Sequence, residues 1–310
     1  MPKPDLSVQI GGVRLKNPVL TASGTCGYGR EYAPYMELSR LGGFTTKSVT
    51  LNPRKGNAPE RIVETPGGML NAIGLANVGL KTFMASKAAE AATLGTPIFV
   101  NVAGHSIEDY VKVCEAVDSV ESVAGIELNV SCPNVSDGLT FGTDAALLKD
   151  LVSEVRAVVK RGPLIVKLSP NVTDITVTAR AAIEGGADAL SMINTFLGMK
   201  IDIRTRRPVP AYGWGGVSGP AIKPMAIYLV HRVYSQIARA AGVPIIGMGG
   251  IGSWQDALEF ILAGATAVSV GTALFVQPNV PLEIIDGLEA YLLEHELPSF
   301  EELVGAVKPV

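Results

Sequence analysis

Short apolar runs alternate with amphipathic stretches from one end of the chain to the other. Eight of these runs are typical of strands: Val19–Ala22, Phe44–Ser48, Ile98–Val102, Gly125–Val130, Leu164–Leu168, Ala189–Ile193, Ile245–Met248 and Ala267–Val270. They are rich in β-branched residues and their apolar character is continuous, as in parallel strands that are buried on both faces. The pattern predicts an α/β fold, a (β/α)8 TIM barrel with a parallel eight-stranded core.

The stretches between the runs carry signals for helix ends. Ser106 and Ser253 each stand at the start of a helical pattern and have an acidic residue three positions later, which indicates a capped first turn. We expect a further helix to begin at Thr143 and to be ended by Gly162, and Gly264 to end the helix that Ser253 begins. The glycines in the turns that lead back to strands fit either duplication of a two-strand unit or the ordinary use of glycine after a helix. We favour the second interpretation.

Two segments interrupt the alternation. Residues Thr50–Gly79 and Thr195–Pro220 are long and rich in Gly, Pro and Asn. Long structured loops within a compact domain are usually functional. Both follow predicted strands, so in a barrel both belong to the carboxyl-terminal face, where active sites lie.

Composition narrows the class of protein. The chain has 310 residues, of which 47% are hydrophobic and 18% charged. This balance can fill one large core, and we expect residues 1–310 to form a single domain.

The formal net charge is −3, and no cluster of Lys and Arg stands out. Nucleic acid and anionic membranes are therefore poor candidates as partners.

The cysteines and histidines argue against metal centres and disulfides. Cys26, Cys114 and Cys132 are widely separated and odd in number, which indicates a reducing compartment. The histidines lack metal-ligand spacing, and three thiols cannot supply the four ligands of an iron–sulfur cluster. Residues 1–15 lack a leader pattern, and no window approaches about 18 apolar residues. We therefore expect a cytoplasmic protein.

Polar residues recur at the ends of the predicted strands, where core packing would not require them. They are Ser23, Lys47, Asn101, Asn129, Lys167 and Asn194. Strand ends converge at the mouth of a barrel, so we expect these side chains to line one binding site. The donors suit a ligand that has several carbonyl oxygens, ring nitrogens and negative charge.

A phosphate site is predicted after the last two strands. Residues 247–252 match G-x-G-x-x-G, but they belong to the seventh βα unit, and no acidic residue follows about 20 positions later as in dinucleotide-binding folds. Paired with Gly271 and Thr272 after the eighth strand, they fit the phosphate site common in these barrels. A phosphate beside a polar ring pocket suggests FMN.

One of the three thiols is a candidate for catalysis. Cys132 follows the fourth predicted strand, precedes a proline and begins a flexible stretch that suits a lid. Cys114 lies on the apolar face of a predicted helix and is a packing thiol. Cys26 follows the first strand in a glycine-rich turn, and nothing in the sequence orients it.

These motifs together resemble those of class 1 dihydroorotate dehydrogenases over nearly the whole chain. The segments that carry the resemblance are Ala22–Thr25, Thr46–Thr50, Gly68–Leu75, Asn129–Asn134, Ile193–Thr195, Gly216–Pro224 and Gly247–Ile251. The resemblance implies a flavoprotein that oxidises dihydroorotate to orotate in the de novo synthesis of pyrimidines (UMP).

The resemblance also implies a role for each matched position. FMN would be held by Ser23, Lys47, Ser48, Asn101, Asn129, Lys167, Ile193, Gly219, Gly249, Gly250, Gly271 and Thr272. The pyrimidine and its carboxylate would be held by Lys47, Asn71, Ala72, Ile73, Gly74, Leu75, Asn129, Asn194 and Thr195. Cys132 would take a proton from C5 while a hydride leaves C6 for the flavin, and Lys167 would stabilise negative charge on the reduced cofactor.

Within this family the sequence is similar to the NAD-linked subtype, type B. The residues found at Glu64–Asn71 and Gly216–Pro220 are typical of type B. The membrane-attached class of the family differs, because it uses serine as the base and carries an anchor. The type B resemblance implies a partner subunit with FAD and a [2Fe–2S] cluster, in a heterotetramer of two catalytic and two partner chains. The cysteine count agrees, because this chain cannot hold a cluster itself.

Three other interpretations remain open at this stage. A type A homodimer would carry out the same half-reaction and reduce fumarate directly. A flavin-free barrel acting on a phosphorylated metabolite as a lyase or isomerase would use Lys47 or Lys167 as a Schiff-base amine. A non-catalytic FMN-binding subunit would have no use for Cys132.

Overall fold

A closed barrel of eight parallel strands forms the centre of the computed structural model, which describes residues 3–131 and 141–308. Its strands are β1 (Val19–Thr21), β2 (Gly43–Thr45), β3 (Ile98–Val102), β4 (Val123–Asn129), β5 (Leu164–Lys167), β6 (Ala189–Met192), β7 (Ile245–Met248) and β8 (Ala267–Val270). Each strand pairs with the next in the chain, and β8 pairs with β1. The predicted fold is confirmed, and all eight predicted strands overlap the observed ones.

Helices follow the barrel strands. The longer ones are Ile107–Asp118, Ala145–Val158, Ile175–Glu184, Lys223–Val233, Trp254–Ala263 and Val280–Glu294. Shorter pieces are Gly79–Thr82, Ala88–Ala92 and Arg239–Ala241, the π-helical turns Phe83–Lys87 and Tyr234–Ala238, and the 3-10 turns Leu38–Arg40, Pro220–Ile222, Thr272–Phe275 and Phe300–Leu303. Their apolar faces pack on the strands in a continuous core. Among the described residues, no helix combines the length and the apolar character needed to cross a membrane.

Several helix ends lie where the sequence predicts them. The side chain of Ser106 accepts a hydrogen bond from the backbone N–H of Asp109 at 3.2 Å, and Ser253 accepts one from Asp256 at 3.2 Å. Each bond satisfies one of the N–H groups that a helix start leaves unpaired. Gly264 ends its helix in a left-handed conformation, which glycine adopts without steric cost.

The predicted ends of the helix after β4 were wrong. Its N-cap is Asp144, not Thr143, because the Asp144 carboxylate accepts from the N–H groups two and three residues later, at 2.9 and 3.0 Å. The helix ends at Val158, before Gly162. Gly162 instead lets the turn before β5 pack closely against β4, since a Cβ there would lie 2.4 Å from the carbonyl oxygen of Ala124.

The amino-terminal end of the barrel is covered by a hairpin. Its strands, Val8–Ile10 and Val13–Leu15, pair antiparallel. A Cβ at Gly11 in its turn would lie 2.4 Å from the Cβ of Pro163, in the turn that leads into β5. The hairpin therefore packs against the end of the barrel opposite to the one where polar side chains follow the strands.

The two segments predicted as long loops build a second sheet together. Its order is Phe196–Gly198, Gly215–Ser218, Gly68–Asn71 and Ile62–Thr65, all antiparallel. Two of these strands follow β2 and two follow β6, so the pairing joins residues about 145 positions apart, as between Asn71 and Gly216. The segments do lie on the carboxyl-terminal face as expected, but they are regular structure and not loops alone.

Two helix-ending glycines offer a matched test of this packing. Gly264 and Gly242 both have positive φ, at 118° and 66°, but a Cβ at Gly264 would lie 2.1 Å from the Tyr234 ring, whereas a Cβ at Gly242 meets nothing within 4 Å. We expect Gly242→Ala to lower the free energy of unfolding by about 1 kcal/mol from backbone strain. Gly264→Ala should lower it by roughly 3 kcal/mol or more because the ring must move as well. Urea unfolding measures both losses, and equal losses would contradict the packing described here.

Candidate active site

A deep cavity of about 1090 Å³ opens at the carboxyl ends of the barrel strands. Its floor is made by residues at the strand ends, and its roof by the antiparallel sheet, including Gly68 and Gly216. Pockets for drug-sized ligands commonly measure about 300–1,000 Å³. The cavity therefore has room for a large cofactor together with a small substrate.

The predicted site residues converge on this cavity, with two exceptions. Those that line it are Ser23, Lys47, Ser48, Asn71, Ala72, Ile73, Gly74, Leu75, Asn129, Lys167, Ile193, Asn194, Thr195, Gly219, Gly249, Gly250, Gly271 and Thr272. Asn101 is fully buried and does not line it. Cys132 lies outside the described residues. The roles of individual residues in binding stay predictions.

Two asparagines on the floor hold each other in place. Asn194 donates from Nδ2 to Oδ1 of Asn129 at 3.1 Å. The carbonyl oxygen of Asn129 accepts from the Tyr110 hydroxyl at 2.7 Å, and Oδ1 of Asn194 accepts from the backbone N–H of Thr195 at 2.9 Å. The Tyr110 bond fixes the main chain at Asn129, and the other two bonds fix the side chains without using all of their donors and acceptors. The remaining groups are preorganised for a polar ligand.

Lys47 brings positive charge to the same floor. Burial, followed by the nearby positive charge of Arg61, lowers the pKa of the Lys47 ammonium below its usual value. Both effects disfavour the charged form. A bound carboxylate or other anion beside Lys47 would reverse this penalty, so the residue is suited to recognising negative charge.

Lys167 is the second cation of the floor, and a carboxylate lies beneath it. Its ammonium nitrogen is 4.0 Å from Oε1 of Glu127. Glu127 also accepts from Asn101 Nδ2 at 2.6 Å and from the Ser191 hydroxyl at 2.7 Å. Asn101 in turn accepts from the hydroxyl of Ser48. Asn101 therefore contributes from a layer below the cavity, through Ser48, and not as part of its wall.

Main chain forms the wall near β7 and β8. A Cβ at Gly219 would lie 2.6 Å from Cα of Gly68, and one at Gly250 would lie 2.7 Å from the carbonyl oxygen of Gly219. Only glycines allow three stretches of backbone to approach this closely. Thr272 closes the same wall by donating from its hydroxyl to Ser218 at 2.7 Å.

This wall fits a phosphate group. The helix Trp254–Ala263 begins directly after the glycine segment, and helix starts carry unpaired N–H groups and a partial positive charge that attract anions. A Cβ on Gly249 would lie 2.9 Å from the Cβ of Ala226, so glycine here lets the wall pack closely against the helix Lys223–Val233. The amides, hydroxyls and cations of the floor suit a flat ring with several carbonyl oxygens and nitrogens. In the described part of the chain, no group of His, Cys, Asp or Glu is placed to hold a metal ion.

Asn57 is a cavity residue that the sequence did not single out. Its Nδ2 donates to the carbonyl of Ala72 at 2.9 Å, and its backbone N–H donates to that of Ile73 at 3.0 Å. Arg61 donates from Nε to the carbonyl of Asn57. Asn57 thus holds the Asn71–Leu75 segment in place through two hydrogen bonds to its main chain. Nothing in the local sequence distinguishes it from the other polar residues of Thr50–Gly79.

Glu127 was also missed, although the sequence carries a signal for it. It is the one charged residue of strand β4, whose other residues are apolar up to Asn129 at its end, and it is only 3% exposed. A carboxylate is rarely buried unless it is paired. Its position two residues before Asn129 places it on the same side of the strand as that cavity residue.

Ser131 is the last described residue before Cys132. It lines the cavity, and its buried hydroxyl oxygen has no hydrogen-bond partner in the described part of the chain. Ser131 therefore continues the cavity lining beyond the end of β4, and the predicted catalytic Cys132 is the next residue in the sequence.

Comparison with known proteins identifies the relatives of this chain. Residues 5–292 match the family model described as dihydroorotate dehydrogenase. A protein of Pelobacter propionicus named dihydroorotate dehydrogenase B (NAD(+)), catalytic subunit, is 53% identical over 99% of both chains. Proteins with the same name from Geotalea uraniireducens and Bacteroides thetaiotaomicron are 51% and 48% identical over at least 98% of each chain. The chain belongs to the dihydroorotate dehydrogenase family.

Proposed function

We propose that this chain oxidises (S)-dihydroorotate to orotate in pyrimidine synthesis and delivers the electrons to NAD+ through a partner subunit. The observation that carries the proposal is the convergence of the predicted cofactor and substrate residues on one cavity. The names of relatives about 50% identical over their full length support the type B assignment over type A.

FMN is the proposed cofactor, one per chain. Its ring would lie against Lys47, Asn129 and Lys167, and its phosphate against the glycine wall of Gly249, Gly250 and Gly271. When bound, FMN supplies an acceptor for the hydride that leaves C6 of dihydroorotate. The chain's own contribution is to hold the ring, to neutralise negative charge with Lys167 and to exclude water.

The substrate would occupy the part of the cavity between Lys47 and the Asn71–Leu75 segment. Lys47 provides a cation for the carboxylate, and burial strengthens that attraction. Asn129 can donate from Nδ2, and Asn194 can still donate and accept beyond its bonds to Asn129 and Thr195, which suits the alternating edge of a pyrimidine ring. Because these amides are already held in place, little order is lost when the substrate binds.

Cys132 is proposed as the base that takes the proton from C5. The reaction needs a group that removes a proton from a weakly acidic C–H bond. Support comes from Asn129 and Ser131, which shortly precede Cys132 in the sequence and line the cavity.

We infer that electrons leaving the chain towards NAD+ pass through a partner subunit. The relatives are named as catalytic subunits, which implies a second subunit in their complexes. With three cysteines in total, this chain has too few thiolates for an iron–sulfur cluster. We propose a partner with FAD and a [2Fe–2S] cluster, in a heterotetramer of two chains of each kind, located in the cytoplasm.

One observation favours a second candidate, a flavin-free barrel that forms a Schiff base. The pKa of Lys47 is lowered by burial and by Arg61, which is a property that Schiff-base lysines share. This candidate requires a colourless protein that borohydride traps with a carbonyl substrate.

The first test is an anaerobic visible spectrum of the purified chain before and after dihydroorotate is added. We expect flavin absorption bands that bleach on addition, because the substrate donates a hydride to the cofactor. Fumarate should not restore the colour, and NAD+ should restore it only when the partner subunit is present. A protein that stays colourless after FMN is supplied would reject the flavin hypothesis in favour of the Schiff-base candidate.

Removal of the thiol tests the proposed base. Cys132→Ala should bind FMN normally but lose at least about 100-fold in the rate of flavin reduction by dihydroorotate, since general bases contribute about 10²–10⁴-fold. Stopped-flow measurement of bleaching gives the rate. Cys26→Ala is the matched control, because Cys26 is a buried thiol that follows β1 and does not line the cavity, so its removal should leave the rate unchanged. A normal rate in Cys132→Ala would exclude Cys132 from the mechanism.

Asn71 tests the position of the substrate. Its side chain lines the cavity and donates to the carbonyl of Gly216 at 3.1 Å. We expect Asn71→Ala to weaken orotate binding by about tenfold or more through the loss of one or two hydrogen bonds, while FMN content stays at one per chain. Titration of the flavin spectrum with orotate measures both. Unchanged orotate affinity would place the substrate elsewhere in the cavity.

A further inference from the structure

Glu127 is an acidic side chain inside the barrel. It lies on β4 and is only 3% exposed, and it does not line the cavity. A buried carboxylate is costly unless hydrogen bonds and an opposite charge compensate for its lost hydration. The structure supplies both kinds of compensation.

The hydrogen bonds to Glu127 come from neutral groups. Oε1 accepts from Asn101 Nδ2 at 2.6 Å and Oε2 accepts from the Ser191 hydroxyl at 2.7 Å. Asn101 lies on β3 and Ser191 on β6, so the carboxylate ties together strands on both sides of its own. These bonds satisfy the oxygens but leave the charge unbalanced.

Lys167 provides the balancing charge. Its Nζ is 4.0 Å from Oε1 of Glu127, which is too long for a hydrogen bond but short enough for strong attraction where water is excluded. Lys167 is itself only 6% exposed. At this distance Lys167 makes no hydrogen bond to Glu127, so its N–H donors can bind a ligand in the cavity.

The strand register explains this layering. Lys167 is the last residue of β5 and pairs with Asn129, whereas Glu127 is two residues earlier on β4 and pairs with Asn101. Side chains two residues apart on a strand point to the same side. The carboxylate therefore occupies the layer directly below the cavity floor, with the ammonium between it and the ligand space.

We propose that Glu127 is the buried counterion of Lys167 and that it limits how strongly the cavity attracts anions. It is a positioning residue, because it acts on ligands only through Lys167. Its charge partly cancels that of the ammonium, so that an anionic product is held less tightly than by an unbalanced lysine. The part of the inference that concerns orotate rests on the proposed function.

Glu127→Gln isolates the charge from the hydrogen bonds. The amide has the same shape, its oxygen can accept from Asn101, and its NH2 group can donate to Ser191, whose hydroxyl is able to accept as well. The substitution thus removes one negative charge and leaves the network intact. Ser191→Ala is the complementary control, because it removes one hydrogen bond and keeps the charge.

The first measurement is a double-mutant cycle on the thermal unfolding of the chain without FMN. Glu127→Gln and Lys167→Met each leave one buried charge without its partner, and each should lower Tm by about 5 °C or more. The double variant E127Q/K167M should lose clearly less than the sum of the two, because it leaves neither charge. Additive losses would overturn the pairing, and this result does not depend on what the cavity binds.

The second measurement is orotate affinity of the FMN-loaded chain. We expect Glu127→Gln to bind orotate about fivefold more tightly, since Lys167, which we place against the flavin ring and not against the substrate, then attracts the nearby anion through space without its counterion. Ser191→Ala should bind as the unmodified chain does, and Glu127→Gln should have no effect in the K167M background. A purely structural role predicts weaker binding in Glu127→Gln, so unchanged or weaker affinity would overturn the proposal. If the unmodified chain fails to bind orotate, the proposed function fails, while the unfolding cycle still decides the pairing.

Discussion

The closure of eight parallel strands into one barrel places all of their carboxyl ends around a single opening, and the chemistry of this protein depends on that convergence. Residues far apart in the chain, such as Lys47 after β2 and Lys167 at the end of β5, reach the same cavity because their strands end at the same level. The apolar residues earlier in each strand fill the core. The same barrel therefore provides a rigid apolar core below the cavity floor and polar groups on the floor itself.

The roof of the cavity arises from a different constraint. The Gly68–Asn71 and Gly215–Ser218 strands pair only because the long connections after β2 and β6 extend over the same side of the barrel opening. Close backbone approach at Gly68 and Gly219 lets this sheet meet the glycine wall without intervening side chains. The same sheet carries Asn71 at the start of the Asn71–Leu75 segment that we propose for substrate binding, so one sheet contacts both proposed halves of the site.

The two lysines of the cavity differ in how the protein compensates their positive charge. Burial and Arg61 lower the pKa of Lys47, so an anion bound beside Lys47 would favour its protonated form. Lys167 instead has a carboxylate in the layer below it. A cavity that must hold an anionic product and then release it benefits from this arrangement, because unbalanced positive charge in a poorly hydrated site would hold the product too strongly.

The sequence by itself determined the barrel, because continuous apolar runs and helix-end residues such as Ser106 and Gly264 are local signals. It also indicated polar residues of the cavity floor, such as Lys47, Asn129 and Lys167, since side chains at the carboxyl ends of parallel strands converge on one opening of the barrel. Only the tertiary structure decided the sheet over the opening, the bracing by Asn57 and the pairing of Glu127 with Lys167. Each of these depends on contacts between residues distant in the chain, and local patterns carry no information about which distant partner will be met.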